Sequence, residues 1–146
     1  MLCLNPIINC QGQVRYASEC WDKGFNCAES VLRGVCYGMG IELPEVALRM
    51  ATPFGGGVGG CEDLCGALSG GIVGIGAAIG RSEAKGDKSA SYNAAKQLHE
   101  QFLRNFGSSL CKELNHGDFK SREHGTRCKN FTLETVRMTY RILKHA

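Results

Sequence analysis

The sequence predicts an all-α fold: a single compact helical bundle domain over residues 1–146, with about five to seven helices and a central glycine-rich helix. Apolar residues recur at the i, i+3, i+4, i+7 spacing of one helix face in several segments. No segment alternates apolar and polar residues for long enough to predict a β-strand. A chain of 146 residues fits one domain and can bury a core without disulfide bonds.

Three helices are predicted in the first third of the chain. The first covers about 13–23. The second covers 25–38, and its apolar stripe consists of Ala28, Val31, Leu32 and Val35. The third is short and begins at Pro44, because proline is favoured at a first helical position. It ends near Thr52, since Pro53 pushes the residue before it out of the helical region.

A fourth helix is predicted over 61–80, although this segment is rich in glycine. Small residues recur there every four positions and would form one smooth ridge: Gly66, Gly70, Gly74 and Ala78. Each interior glycine costs about 1 kcal/mol of helix propensity relative to alanine. Packing must therefore hold this helix, and we expect it at the centre of the bundle, where another backbone can approach the ridge.

The second half of the chain predicts further helices around a polar loop. A fifth helix covers Ser89 to Phe106, and a short helix lies around 109–115. The polar segment 115–130 is interpreted as a long loop, and loops of that length are often functional. A C-terminal helix follows, with the apolar stripe Leu133, Val136, Tyr140 and Leu143.

The first residues, the longest uncharged stretch and the distribution of charge argue against a secreted protein, a membrane protein and a nucleic-acid-binding protein. No basic residue precedes the apolar positions of "MLCLNPIINC", which is unlike a signal peptide, so we expect a cytoplasmic location with reduced cysteines. The uncharged stretch from Leu64 to Gly80 has 17 residues, many of them glycine, and is short for a membrane span. Residues 81–146 hold 13 basic and seven acidic side chains, but no aromatics interleave with them for base stacking. We therefore expect neither a membrane nor a nucleic acid as partner.

The glycine run "GGGVGG", residues 55–60, matches the G-x-G-x-x-G pattern of dinucleotide-binding sites. That function needs a preceding strand, whereas the preceding segment "ALRMATPF" is helical. Glu62 and Asp63 would also occupy the helix start where a phosphate would bind. The run is better explained as a flexible loop that lets the glycine-rich helix pack tightly.

The chain has nine cysteines, which are its main candidates for metal binding or redox chemistry. Cys61 and Cys65 would share one helix face at i and i+4, where they could bind one metal, form a transient disulfide or fill space as small buried residues. Cys27 and Cys36, nine residues apart on one helix, would point to opposite sides. His116 and His124 both lie in the polar loop, so a metal site with both cysteine and histidine ligands is a further hypothesis.

Four separated motifs resemble the C_GCAxxG_C_C family of redox-active proteins. They are Cys27 in "GFNCAESVL", Cys65 in "CGALSG" after the glycine run, Cys111 in "FGSSLCKEL" and Cys128 in "RCKN". The resemblance implies a helical domain with these four signature cysteines. It also extends to the domain fused to split-Soret cytochromes, which is associated with an iron–sulfur cluster. Cys3, Cys10, Cys20, Cys36 and Cys61 fall outside the signature, and their role is left open.

Three functions follow as hypotheses. The first is binding of an iron–sulfur cluster, or of zinc, by Cys27, Cys65, Cys111 and Cys128, for electron transfer or sensing. Backbone N–H groups of the glycine-rich segment would then tune the potential, from Gly57, Gly59, Gly60 and Gly66. The second is a metal-free thiol–disulfide oxidoreductase in which Cys65 attacks. The third is a non-enzymatic module whose glycine ridge forms a homodimer. The electron donor or redox partner protein is not specified by the sequence.

Overall fold

A computed structural model describes residues 12–146, and these residues form seven α-helices. The helices are α1 (Gly12–Asp22), α2 (Cys27–Met39), α3 (Glu45–Arg49), α4 (Gly66–Ile79), α5 (Ser89–Phe106), α6 (Cys111–Leu114) and α7 (Arg122–Lys144). No β-strand occurs within residues 12–146, where the isolated bridge between Leu64 and Leu110 is the only β-type pairing. The all-α prediction is therefore confirmed. Cys3 and Cys10 lie outside the described residues.

Helix α4 lies at the centre, packed against α2, α5 and α7. Its glycine ridge faces α2 within the same chain. A Cβ atom built on Gly70 would lie 2.5 Å from the carbonyl oxygen of Ala28, and one on Gly74 would lie 3.0 Å from Val35. The prediction that packing holds this helix at the centre is confirmed, and the ridge is used inside the chain.

Helix α7 borders the core with a stripe of threonines as well as aliphatic residues. Thr132, Thr135 and Thr139 are fully buried, and each hydroxyl donates a hydrogen bond to the carbonyl oxygen four residues earlier. These bonds satisfy polar groups that would otherwise destabilise the interior. Gly71 lets α4 approach α7 closely here, because a Cβ built on it would lie 2.8 Å from Thr139 Oγ1. None of the helices in residues 12–146 combines the length and apolarity needed to cross a membrane.

The predicted helix over 61–80 begins five residues late, at Gly66. Before it, Gly56, Gly57, Val58, Gly59 and Gly60 all have positive φ angles, so the chain makes a left-handed turn that glycine adopts most readily. Residues 61–65 then run beside 109–111: the amide of Cys65 donates to the Ser109 carbonyl oxygen at 2.8 Å. The prediction that Cys61 and Cys65 share a helix face is therefore wrong.

The predicted loop over 115–130 is also wrong, because α7 begins at Arg122. Ser121 caps the helix, and its hydroxyl accepts a hydrogen bond from the amide of His124. The Asp118 carboxylate in turn accepts from the Ser121 amide at 3.1 Å, which fixes the turn before the helix. The polar character of this segment reflects an exposed first part of a helix. Cys128 consequently lies in the second turn of α7 and does not close a loop.

A candidate four-cysteine site

The four signature cysteines line one cavity of about 190 Å³. The sulfur-bearing residues are Cys27, Cys65, Cys111 and Cys128. The rest of the wall is largely apolar or aromatic, and includes Trp21, Ala67, Phe119 and Phe131. None of the described residues that line the cavity is Lys, Arg, Asp or Glu. The fold thus gathers cysteines that are spread over more than 100 positions of sequence into one space free of charged side chains.

Each cysteine is held near the amino-terminal end of a helix. Cys27 is the first residue of α2, and Cys111 is the first residue of α6. Cys65 occupies the position just before α4, and Cys128 lies in the second turn of α7. The longer helices α2 and α4 direct the positive ends of their dipoles toward this cavity, which favours negative charge on sulfur.

A capping box orients the start of α2. The Asn26 side chain accepts from the Glu29 amide at 2.9 Å, and the Glu29 carboxylate accepts from the Asn26 amide at 2.9 Å. Glu29 also accepts a hydrogen bond from the Thr52 hydroxyl at 2.7 Å, which ties α2 to the segment before the glycine turn. This arrangement fixes Cys27 against the cavity.

Burial raises the pKa of the cavity thiols. It raises the pKa of Cys65 to about 12, and repulsion from a charged Cys27 adds to this. Burial likewise raises the pKa of Cys128 to about 11, again with repulsion from Cys27. The amides of Ala67 and Leu68, in the first turn of α4, favour the charged form of Cys65 but are outweighed. Without a bound cation, the cavity therefore keeps its sulfurs protonated.

Asn115 joins two of the cysteines, and sequence reasoning missed it. Its side chain is 1% exposed. The amide nitrogen Nδ2 donates to the Cys111 carbonyl oxygen at 3.0 Å and lies 3.8 Å from Cys111 Sγ. The amide oxygen Oδ1 accepts from Cys128 Sγ at 3.6 Å and from Arg127 Nε at 3.3 Å. No sequence spacing points to this residue, because the contact depends on how α6 and α7 meet.

A small network continues from Asn115 to the surface. Arg127 bonds the Asp118 carboxylate at 3.1 Å as well as Asn115. The pKa of the Asp118 carboxyl is held well below its usual range by hydrogen bonds from Ser121 and Arg127. The carboxylate therefore stays ionised and keeps Arg127 oriented toward the cavity wall.

Of the four glycines predicted to contact a cofactor, only Gly66 lines the cavity. Gly66 lines the cavity, and a Cβ there would lie 2.5 Å from Cys27 Sγ. Gly57 lies behind Cys111, with 2.8 Å from a Cβ built on it to the Cys111 Cβ. Neither Gly59 nor Gly60 lines the cavity, whereas Gly56, for which the sequence predicts no contact, does. The Gly56 amide favours the charged form of Cys27, although burial raises the pKa of this thiol overall.

The remaining cysteines and histidines fall into separate places. Cys61 is exposed, and the buried Cys20 and Cys36 lie away from the four-cysteine cavity. Cys27 and Cys36, nine residues apart on α2, line different pockets. His124 lines the cavity edge-on to Phe119, with ring centroids 5.2 Å apart, whereas His116 does not line it.

The donor geometry bears on which metal group the cavity could hold. Within residues 12–146, no three His, Cys, Asp or Glu side chains are close enough together to hold a single metal ion. The four thiols instead surround a space much larger than the roughly 30 Å³ that one water molecule occupies in the liquid. Four thiols match the number of ligands that an iron–sulfur cluster takes.

Comparisons with known proteins agree with the cysteine signature. The chain is 28% identical over 141 residues to an "Uncharacterized protein" of Archaeoglobus fulgidus, and this match covers 89% of the chain and 92% of the relative. No solved structure matches the chain. The family model described as "Putative redox-active protein (C_GCAxxG_C_C)" matches residues 25–142, which include all four cavity cysteines. The chain belongs to this C_GCAxxG_C_C family.

Proposed function

We propose that this protein binds an iron–sulfur cluster through Cys27, Cys65, Cys111 and Cys128 and serves in electron transfer or redox sensing. The observation that carries the proposal is that these four thiols line one cavity with no lysine or arginine in its wall. The thiols would become thiolates only with a positive partner, and no lysine or arginine among the lining residues supplies one. Iron would supply that charge.

The donor set supports a cluster over a structural zinc ion. Four cysteine thiolates are the usual ligands of both [2Fe–2S] and [4Fe–4S] clusters, and also of some zinc sites. Zinc needs its ligands to converge at about 2.3 Å from one point. The four thiols instead line a cavity of about 190 Å³, and they come from four separate helices or helix ends.

The surrounding residues would set the properties of the bound group. A cluster supplies one-electron redox chemistry when bound. The largely apolar wall, with Trp21 and Phe131, lowers the local dielectric. The amino-terminal ends of α2 and α4 stabilise negative charge on sulfur. Asn115 donates an N–H group toward Cys111 Sγ, and such hydrogen bonds tune reduction potentials.

Serine substitutions test the proposal. Each of the four signature cysteines is replaced singly in protein that is expressed and purified without oxygen, and iron and visible absorption are measured. We expect each variant to lose most of its iron and its visible absorption. Cys61→Ser is the matched control, because Cys61 is exposed and lies outside the cavity, so it should keep both. Full iron content in Cys65→Ser would contradict the assignment.

The same experiment separates the proposal from thiol–disulfide chemistry. A nucleophilic thiol works best with a pKa near the ambient pH, whereas burial raises the pKa of Cys65 to about 12. If anaerobic protein carries no metal, and oxidation then joins two of the four cavity cysteines in a reversible disulfide, the oxidoreductase function replaces the cluster.

A further inference from the structure

A second pocket, of about 280 Å³, lies on the other side of α2 from the four-cysteine cavity. Its wall comes from α1, α2, α3 and the segment between α2 and α3. The lining residues are Tyr16, Arg33, Cys36, Tyr37, Ile41, Glu42, Leu43 and Leu48. The volume is close to the lower end of the range for small-molecule sites, about 300 Å³.

Arg33 carries a buried donor that nothing in the described chain satisfies. Its Nε atom is shielded from solvent and has no hydrogen-bond acceptor among residues 12–146. None of the four ion pairs within these residues involves Arg33. One face of the guanidinium rests on the Phe25 ring, 4.0 Å from its centroid, which leaves the edge of the group for a ligand. A buried charged donor without an acceptor destabilises a fold and calls for an explanation.

The rest of the pocket is suited to an apolar body. Tyr16 and Tyr37 stack with ring centroids 4.5 Å apart and an interplanar angle of 15°. Tyr37 is 53% exposed in spite of its size, so part of this aromatic wall faces solvent. Ile41, Leu43 and Leu48 complete an aliphatic side. Glu42 is exposed and places a negative charge in the pocket wall, which disfavours multiply charged anions.

We propose that this pocket binds a small organic carboxylate, in which the carboxylate pairs with Arg33 and an aromatic or aliphatic body lies against Tyr16 and Tyr37. A planar carboxylate matches the fork of guanidinium donors and would pair with the terminal nitrogens of Arg33, because Nε itself is shielded from solvent. The ligand's apolar body would be covered by the stacked tyrosines and the aliphatic side. A single negative charge is tolerated beside Glu42 more readily than the double charge of phosphate.

Nuclear magnetic resonance titration of the full chain tests this site. Benzoate is the probe, benzyl alcohol is the uncharged analogue and inorganic phosphate is the competing anion. We expect benzoate to shift the Arg33 Nε–Hε resonance and the Tyr16 and Tyr37 ring resonances in a saturable way. Benzyl alcohol and phosphate should shift them much less at the same concentration. An unsaturable response to benzoate, or a stronger response to phosphate, would overturn the proposal.

Variants separate binding from structure. Arg33→Met keeps the length of the side chain and removes its donors, so benzoate binding should weaken about tenfold or more. Glu42→Gln should strengthen binding. Arg104→Met is the control, because Arg104 is exposed on α5 and lies outside the pocket, and binding should not change.

The stability of Arg33→Met distinguishes a ligand-binding role of Arg33 from a structural role. An arginine kept for a ligand leaves an unsatisfied donor in the free protein, so the urea midpoint of Arg33→Met should equal or exceed that of the unsubstituted protein. Loss of stability together with unchanged benzoate binding would assign Arg33 a structural role and refute the site.

Discussion

The contact between α4 and α2 leaves no room for a side chain at position 70. A Cβ atom there would lie 2.5 Å from the carbonyl oxygen of Ala28 and 2.9 Å from its Cα atom. Real Cβ atoms essentially never come within 3.0 Å of such atoms. Both atoms are backbone and cannot rotate away, so Gly70→Ala must move the two helices apart by about half an ångström. Overpacking of this kind costs about 1–3 kcal/mol, and a rigid backbone neighbour favours the upper end.

Gly76→Ala on the same helix is the matched control. Nothing lies within 4 Å of a Cβ built on Gly76, so the substitution gains about 1 kcal/mol of helix propensity. Gly70→Ala gains the same propensity but suffers the clash, which leaves a net loss of about 2 kcal/mol. The two variants should therefore differ by about 3 kcal/mol in free energy of unfolding, measured by urea denaturation under reducing, metal-free conditions. Equal stabilities, or a stabilised Gly70→Ala, would refute the packing of α4 against α2.

Three further predictions concern the cavity in metal-free protein. Burial raises the pKa of Cys65 to about 12, so the protonated thiol stabilises the fold fully below pH 9 and this stability is lost as the pH rises toward 12. Cys65→Ala should therefore reduce the loss of thermal stability over this pH range. An unchanged loss of stability in the variant would contradict the burial of Cys65. Asn115→Leu should lower the free energy of unfolding by about 1–3 kcal/mol and alter the alkylation rate of Cys111, whereas no change in either would show that the amide does not organise the cavity. Iodoacetamide should modify the exposed Cys61 first, the partly exposed Cys27 and Cys128 more slowly, and the buried Cys65 and Cys111 only in denaturant, as mass spectrometry of digests can show; labelling of Cys65 as fast as that of Cys61 would contradict its burial.

The helices that were predicted well are those whose signal is local. The stripe Ala28, Val31, Leu32 and Val35 faces the core of the bundle, and α2 forms within a residue or two of its predicted bounds. Helix α5 covers the predicted range, and of its predicted apolar stripe Leu98 and Phe102 are buried whereas Tyr92 is exposed. Such periodicity records which face will be covered, so it can be recognised before the partner helix is known.

The helix boundaries that were predicted wrongly depend on backbone geometry, which the periodicity of apolar residues does not record. The start of α4 is displaced by positive φ angles at Val58 and Glu62, which are uncommon for residues with side chains and leave no trace in the apolar pattern. The start of α7 was missed because Gly125 and the charged residues around it resemble a loop, although Ser121 supplies the cap. Both errors fall beside the cavity, where local rules are most often broken.

The candidate site likewise has one part that the sequence predicts and another part that it does not. The motifs around Cys27, Cys65, Cys111 and Cys128 could be recognised by resemblance, but nothing in their spacing shows that they line one cavity. Asn115 and the Arg33 pocket could not be predicted at all, because each arises where separate helices meet. The location of the protein and its redox partner stay predictions.

The most direct test of the central claim is the content of iron, acid-labile sulfide and zinc in full-length protein that is prepared without oxygen. We expect iron and sulfide in equal amounts, in one of the two cluster compositions that four cysteines hold, together with visible absorption that bleaches on reduction. Zinc at about one ion per chain, without sulfide, would replace the cluster with a structural metal site. Colourless protein that contains no metal would contradict the assignment of Cys27, Cys65, Cys111 and Cys128 as ligands.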